Sequence, residues 1–141
     1  MSHPGNLAPF RVLDLTTEAG FLAGKLLADL GADVIKVEPP GGDPARRRGP
    51  FVGGIEGPER SVLWLALNGG KRGITLDLED SRERAALLAL VEGADAVIES
   101  SGPGLLEARG LGWDVLRARN PDLVLCRISP FGQDGPLARH R

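Results

Sequence analysis

Cysteine is nearly missing from these 141 residues, with Cys126 the only one. A single thiol cannot build an internal disulfide framework, and its scarcity fits a reducing compartment. Histidine is almost as rare: there are two, and only His140 lies outside the amino-terminal tail. One cysteine and two histidines cannot assemble a metal cluster, so no metal site is expected. No apolar run approaches the roughly 18 residues that a membrane span needs. The opening "MSHPGNLAPF" lacks the charged start and apolar stretch of a signal peptide. The expectation is a cytoplasmic protein without membrane association. Charge of one sign is missing too: 17 basic and 19 acidic residues leave a net −2, which argues against nucleic acid as a partner.

Two phosphate-binding signatures are also missing. A dinucleotide fold needs a Gly-x-Gly-x-x-Gly turn after its first strand, where "TTEAGF" offers one glycine. In "GFLAGKL" the glycines stand one residue too close for a P-loop, and Leu26 occupies the place of its metal-binding hydroxyl.

What is there is globular, with 42% hydrophobic and 26% charged residues. "RVLDLT" (11–16), "ADVIKVE" (32–38), "GITLDL" (73–78), "ADAVIES" (94–100) and "DLVLCRIS" (122–129) read as strands. Between the first two, Leu22, Leu26 and Leu30 recur at helical spacing, and Gly31 supplies a stop. "SVLWLALN" (61–68) is a short helix or a buried run. Asp80 and Glu83 have capping-box spacing ahead of a helix whose Leu87, Leu90 and Val91 share a face. Two short helices follow, the second carrying Trp113 and Leu116. Strands alternating with helices predict an α/β fold, a mostly parallel Rossmann-like sheet with flanking helices. An amino-terminal tail is expected over 1–10 and a single domain over 11–141. Ligands of such sheets collect at the carboxyl ends of the strands.

Three loops draw attention, and all three are assigned to that edge. "ARRRG" (45–49), with Arg46, Arg47 and Arg48, is either a solvated charge run or an anion contact. Lys71 and Arg72 in "NGGKRG" either hold a phosphate or form a solvated turn entering a strand. "ESSGPG" (99–104) offers two hydroxyls and a flexible backbone, with Arg109 a few residues on. Asp14 lies inside an apolar strand and needs a partner if buried, as a structural hydrogen-bonder. Cys126 reads as a small core residue. Together the loops suggest a phosphate-containing small molecule as ligand.

The blocks "LLADLGADVIKVEPPGGDPARRRGPF", "NGGKRGITLDL" and "VIESSGPGLLEARGLGWDVLRARNPDLVLCRISPFGQDGP" resemble the family III CoA-transferases, the CaiB/BaiF family, in order and spacing over about residues 10–137. The resemblance implies the amino-terminal portion of that fold and a role in moving CoA between an acyl-CoA thioester and a carboxylic acid. CoA and acyl-CoA would be substrates, with no tightly bound cofactor. It implies CoA contacts at Pro39, along Leu76, Asp77, Leu78 and Glu79, at Ser100, Ser101 and Gly102, and at Arg109. Arg46 and Arg47 would form a phosphate clamp, and Lys71 and Arg72 would add cations. Departures accompany it: Glu18 stands near a usual glutamine, and Gly69 replaces a frequent arginine. The family's nucleophilic aspartate and the racemase's histidine/aspartate pair fall downstream of residue 141, so no catalytic residue is expected here and the chain alone is expected to be inactive. The family's interlocked subunits imply a homo-oligomer, or a second chain that supplies the remainder. A non-catalytic CoA-binding module and part of an α-methylacyl-CoA racemase remain the alternatives.

Overall fold

In a computed structural model, residues 5–140 are described. Five parallel strands form one sheet in the order β3-β2-β1-β4-β5: β1 (Arg11–Leu15), β2 (Asp33–Glu38), β3 (Arg72–Thr75), β4 (Ala96–Glu99) and β5 (Val124–Arg127). The helices are α1 (Phe21–Asp29), α2 (Val62–Asn68), α3 (Ser81–Val91), α4 (Leu105–Ala108) and α5 (Trp113–Arg119). No helix among the described residues is long and apolar enough to cross a membrane.

Given this strand order, the right-handedness of parallel crossovers fixes which face each connecting helix takes. Chain growth runs outward from β1 through β2 to β3, then returns to pair β4 beside β1, and the reversal puts α3, α4 and α5 on the face opposite α1, against which α2 packs. On one face, Leu13, Ile35, Val37 and Val97 pack with Leu87 and Val91 of α3, Leu106 of α4 and Leu116 of α5. On the other, Val12, Val34 and Ile98 meet Ala23, Leu27 and Ala28 of α1. Successive strand residues alternate between the two faces, so Asp14 and its register partner Lys36 both lie beneath α1.

The leucines that reveal α1 are not its buried face. Leu22, Leu26 and Leu30 are all about half exposed, while Phe21 and Gly24 are buried. The same side of the sheet is bare over β5, where Val124 and Cys126 are exposed. Cys126 is therefore not the core residue its sequence context suggests. Residues 5–10 are not a loose tail either: the Leu7 amide donates to the Leu30 carbonyl at 3.0 Å, and Leu7 packs on the Val12 cluster. Residues 1–4 of the expected tail lie outside the described residues.

Two local expectations change. The third strand ends at Thr75, so Leu76–Glu79 form the loop that follows it. Asp80 does cap α3, accepting from the Arg82 amide at 2.6 Å, but Glu83 reaches past it to the Asp77 amide, also at 2.6 Å. The capping box thus opens into a brace on the Leu76–Glu79 loop.

Gly24 lets α1 approach the sheet. A Cβ there would stand 2.2 Å from Asp14 Oδ2, an atom already fixed by Lys71. Gly24→Ala is expected to destabilise the chain by about 1–3 kcal/mol through overpacking, despite alanine's better helix propensity. Urea denaturation of the two proteins checks this, and unchanged stability would mean that α1 moves freely.

Candidate functional site

The carboxyl ends of β1, β2, β3 and β4 converge, and each is finished by a buried polar side chain or a braced loop. At β1, Asp14 Oδ1 accepts from the Thr16 amide (2.9 Å) and hydroxyl (2.6 Å), shaping the turn into α1. Lys71 donates to Asp14 Oδ2 (2.8 Å), Asn68 Oδ1 (2.8 Å) and the Phe21 carbonyl (3.0 Å). Lys36 donates to the Thr16 carbonyl and, at 3.3 Å, to those of Asp14 and Val37. Burial depresses the Lys36 pKa, and the nearby Asp14, Asp43 and Glu38 carboxylates only partly oppose it.

At β2, Glu38 accepts from Arg46 Nε (2.6 Å) and Nη2 (2.7 Å) and from the Asp43 amide (3.0 Å). Arg46 stacks over Trp64, 4.0 Å from the ring centre, and also binds Glu59 at 2.7 Å. Asp43 caps the 3-10 turn of residues 44–47 through the Ala45 amide at 2.8 Å. Gly42 takes φ 81°, and its would-be Cβ would meet the Arg46 side chain at 2.9 Å. The loop following β2 is therefore rigidly built.

At β4, the fully buried Glu99 accepts from Arg127 Nε (2.8 Å) and the Ser101 amide (2.7 Å). Arg127 also grips Glu107 with Nη1 and Nη2. The Thr17 amide donates to Ser100 Oγ at 2.8 Å, which ties the β1 turn to the β4 turn.

Between these loops lies a cleft of about 290 Å³. Leu15, Val37, Leu76 and Leu78 give it apolar walls, Pro39 and Pro44 a flat shoulder, and Thr16, Thr17, Ser101 and Arg109 a polar rim. Its carboxylates are largely answered: Arg46 pairs with Glu38, and Arg109 with Glu79 at 2.8 Å. An apolar slot between strand ends suits a flat heterocycle, with the polar rim meeting what is attached to it.

Of the residues singled out from sequence, Pro39, Leu76, Asp77, Leu78, Glu79, Ser101 and Arg109 line this one cleft. Ser100 and Gly102 border a second, neighbouring cleft. The basic residues divide. Arg47 is exposed and donates to the Gly41 carbonyl at 3.1 Å, whereas Arg46 is committed to Glu38 and Trp64. Arg48 pairs with Glu18. Lys71 and Arg72 are a correction to the assignment of three loops to one edge. Residues preceding a parallel strand enter at its amino end, and there Arg72 pairs with Asp33 at 2.7 Å. The Lys71 side chain is only 1% exposed and points into the interior. Sequence reasoning missed Lys36, Glu38 and Glu99 as organisers; the available signal was a charge inside the apolar run of β2 and one at the end of each of β2 and β4.

Burial raises the Glu38 pKa, but the bonds from Arg46 and the Asp43 amide outweigh it and hold the carboxyl below its usual value of 4.5. Arg127 does the same to Glu107. Both contributions are complete above about pH 4.5 and are lost as pH falls through the lower folded-state values. Lys36 has the same sign in a different window: its depressed value means that the cost of burying its charge is relieved, and stability rises, as pH climbs toward 10.5. Stability is expected to fall steeply below about pH 4.5, and Glu38→Gln is expected to flatten that slope. Denaturation midpoints between pH 3 and 7 test this, and parallel acid slopes for the two proteins would contradict it.

In a doubly wound parallel sheet, the carboxyl edge where this cleft lies is the place at which ligands gather. The chain belongs to CoA-transferase family III, whose profile matches residues 7–141. It is 45% identical over 131 residues to a succinyl-CoA:(R)-benzylsuccinate CoA-transferase subunit of Thauera aromatica, covering 93% of this chain and 32% of that one. It is also 45% identical over 128 residues to a probable fatty acyl-CoA transferase of Mycobacterium tuberculosis, covering 90% and 32%. A solved CAIB/BAIF family protein from Brucella suis superposes with a TM-score of 0.88 at 40% identity, over 98% of this chain and 37% of that one. The chain spans about a third of the length of the curated relatives it matches.

Proposed function

We propose that this chain is the CoA-binding part of a transferase that moves CoA between an acyl-CoA thioester and a carboxylic acid. The observation that carries this reading is the meeting of Pro39, Leu76–Glu79, Ser101 and Arg109 around one cleft, in a chain of this family. In this reading the adenine enters between Val37, Leu76 and Leu78. Arg47, exposed on the outer side of the Gly41 loop and outside any ion pair among the described residues, faces the phosphates. The pantetheine arm crosses Thr17 and Ser101 toward the second cleft. No group of the chain is assigned a covalent role; its residues bind, orient and shield. The relatives are named for CoA transfer, which favours transfer over racemisation, but their names divide between succinyl-CoA and fatty acyl-CoA.

The partners in this reading are the acyl-CoA and the acid, together with a second copy or another chain. The half-exposed leucines of α1 beside bare Val124 and Cys126 favour completion by another polypeptide surface.

Amide chemical-shift mapping with CoA tests the site. Shifts clustered at residues 76–79, 101, 109 and the Gly41–Gly42 turn are expected. Shifts clustered at the amino edge, around Asp33 and Arg72, would refute the reading.

A further inference from the structure

We propose that Asp43 selects the base of the ligand: its open carboxylate oxygen accepts from a ring amino group, so the cleft prefers an amino-purine to its oxo counterpart. This rests on the CoA reading and deepens it. Four carboxylates border the first cleft, those of Glu38, Asp43, Asp77 and Glu79. Both oxygens of Glu38 are taken, by Arg46 and by the Asp43 amide. Asp77 is half-buried with Oδ1 on the Glu79 amide, and Glu79 is exposed and paired with Arg109. Of the four, only Asp43 is both buried, at 5% exposure, and half-satisfied. Its Oδ1 accepts from the Ala45 amide at 2.8 Å, and its Oδ2 has no hydrogen-bond partner among the described residues. That oxygen still reaches the surface, because the one enclosed side-chain atom without a partner among the described residues is Gln133 Oε1. Asp43 lines the first cleft and an adjoining hollow it shares with Thr17 and Pro44, so the open oxygen faces ligand space.

The group is held in place on three sides. The Asp43 amide donates to Glu38 Oε2 at 3.0 Å, and its carbonyl accepts from the Arg46 amide at 3.0 Å. Gly41 and Gly42 precede it at φ 84° and 81°, a turn that favours glycine. The same loop turns Arg47 outward, onto the Gly41 carbonyl at 3.1 Å. One short loop thus presents a cation outside and a carboxylate inside, which sorts the phosphates of a ligand from its base.

A carboxylate oxygen covered by a ligand without a donor costs free energy. Phosphates bring acceptors only and are repelled. The uncharged heterocycle is what the apolar walls Val37, Leu76 and Leu78 admit, and Val37 adjoins Glu38, to which Asp43 is bonded. An amino group on that ring satisfies the open oxygen with a charge-assisted bond. A ring carbonyl in the same place sets oxygen against oxygen.

The test is calorimetric titration of the chain with CoA and with its hypoxanthine analogue, in which a ring carbonyl replaces the 6-amino group. CoA is expected to bind about tenfold more tightly than the analogue. Asp43→Asn keeps an oxygen for the Ala45 amide and turns an amide NH₂ into the cleft, and asparagine caps as well as aspartate. It is expected to cancel or reverse the preference. Equal affinity of the unsubstituted chain for the two ligands overturns the inference while CoA binding still stands. So does a preference that survives in Asp43→Asn, since a purely structural Asp43 would weaken both ligands alike. The unsubstituted comparison needs no variant, so a substitution that unfolds the chain leaves the test intact. Absence of CoA binding in the folded chain overturns the functional reading, and this one with it.

Discussion

Asp14→Ala is expected to lower the stability of the chain by about 3–5 kcal/mol, the usual loss when one partner of a buried ion pair is removed. Asp14 is fully buried and serves two lysines at once, Lys71 at 2.8 Å and Lys36 at 3.8 Å. Its removal leaves both buried ammonium groups with neutral oxygen acceptors but without their nearest carboxylate; the Phe21 ring centre lies 5.3 Å from Lys36 and 5.6 Å from Lys71. It also strips the Thr16 amide and hydroxyl of their acceptor. The consequence reaches the site, because Thr16 and Thr17 form one wall of the cleft. Asp14→Asn keeps the shape and removes the charge, so it is expected to lose most of the same stability. Urea titrations of the three proteins measure the effect. A loss below about 1 kcal/mol, the range of an exposed pair, would show that the network is an ornament of the fold.

The second large effect separates two neighbouring arginines. Arg46→Ala is expected to destabilise the chain by about 2–4 kcal/mol, since it strands the buried Glu38 carboxylate and bares Trp64. Its effect on CoA binding would come through a loosened loop. Arg47→Ala is expected to leave stability unchanged, because its guanidinium is exposed and makes one bond to a backbone carbonyl. It is expected instead to weaken CoA about tenfold, as loss of a charge-assisted phosphate contact does. That loss should shrink as salt is added. Denaturation and calorimetry on the same two variants decide the matter. Unchanged CoA affinity in Arg47→Ala would remove the phosphate contact from the account, and unchanged stability in Arg46→Ala would remove the structural brace.

Much of the fold was legible because it rests on local patterns. Apolar runs such as "RVLDL" and "DVIKV" must be buried on both faces, which requires a covered parallel sheet. Gly31, at φ 102°, marks the end of α1 as its chemistry demands. What local pattern could not supply was direction in space. Lys71 and Arg47 look equally cationic in sequence, yet one points into the interior and the other into solvent. That difference is set by Asp14, 57 residues away along the chain. The same holds for Leu22, Leu26 and Leu30, whose spacing shows a helix without saying which side meets the sheet. Gly24 sits on the buried side, where a Cβ would come within 2.2 Å of Asp14 Oδ2.

The cleft residues were legible for another reason. Pro39, the residues after β3, Ser101 and Arg109 follow strand ends in sequence, and a parallel sheet gathers its strand ends on one edge. The loop before β3 obeys the same rule in reverse, which is why Lys71 and Arg72 do not join them.

The most direct measurement is calorimetric titration of the 141-residue chain with CoA and, in parallel, with dephospho-CoA, in a sample shown to be folded by circular dichroism. The account predicts binding at one site, about tenfold tighter for CoA because a cation reads the extra phosphate. No binding of either ligand to the folded chain would contradict it and remove the carboxyl-edge cleft as a CoA site.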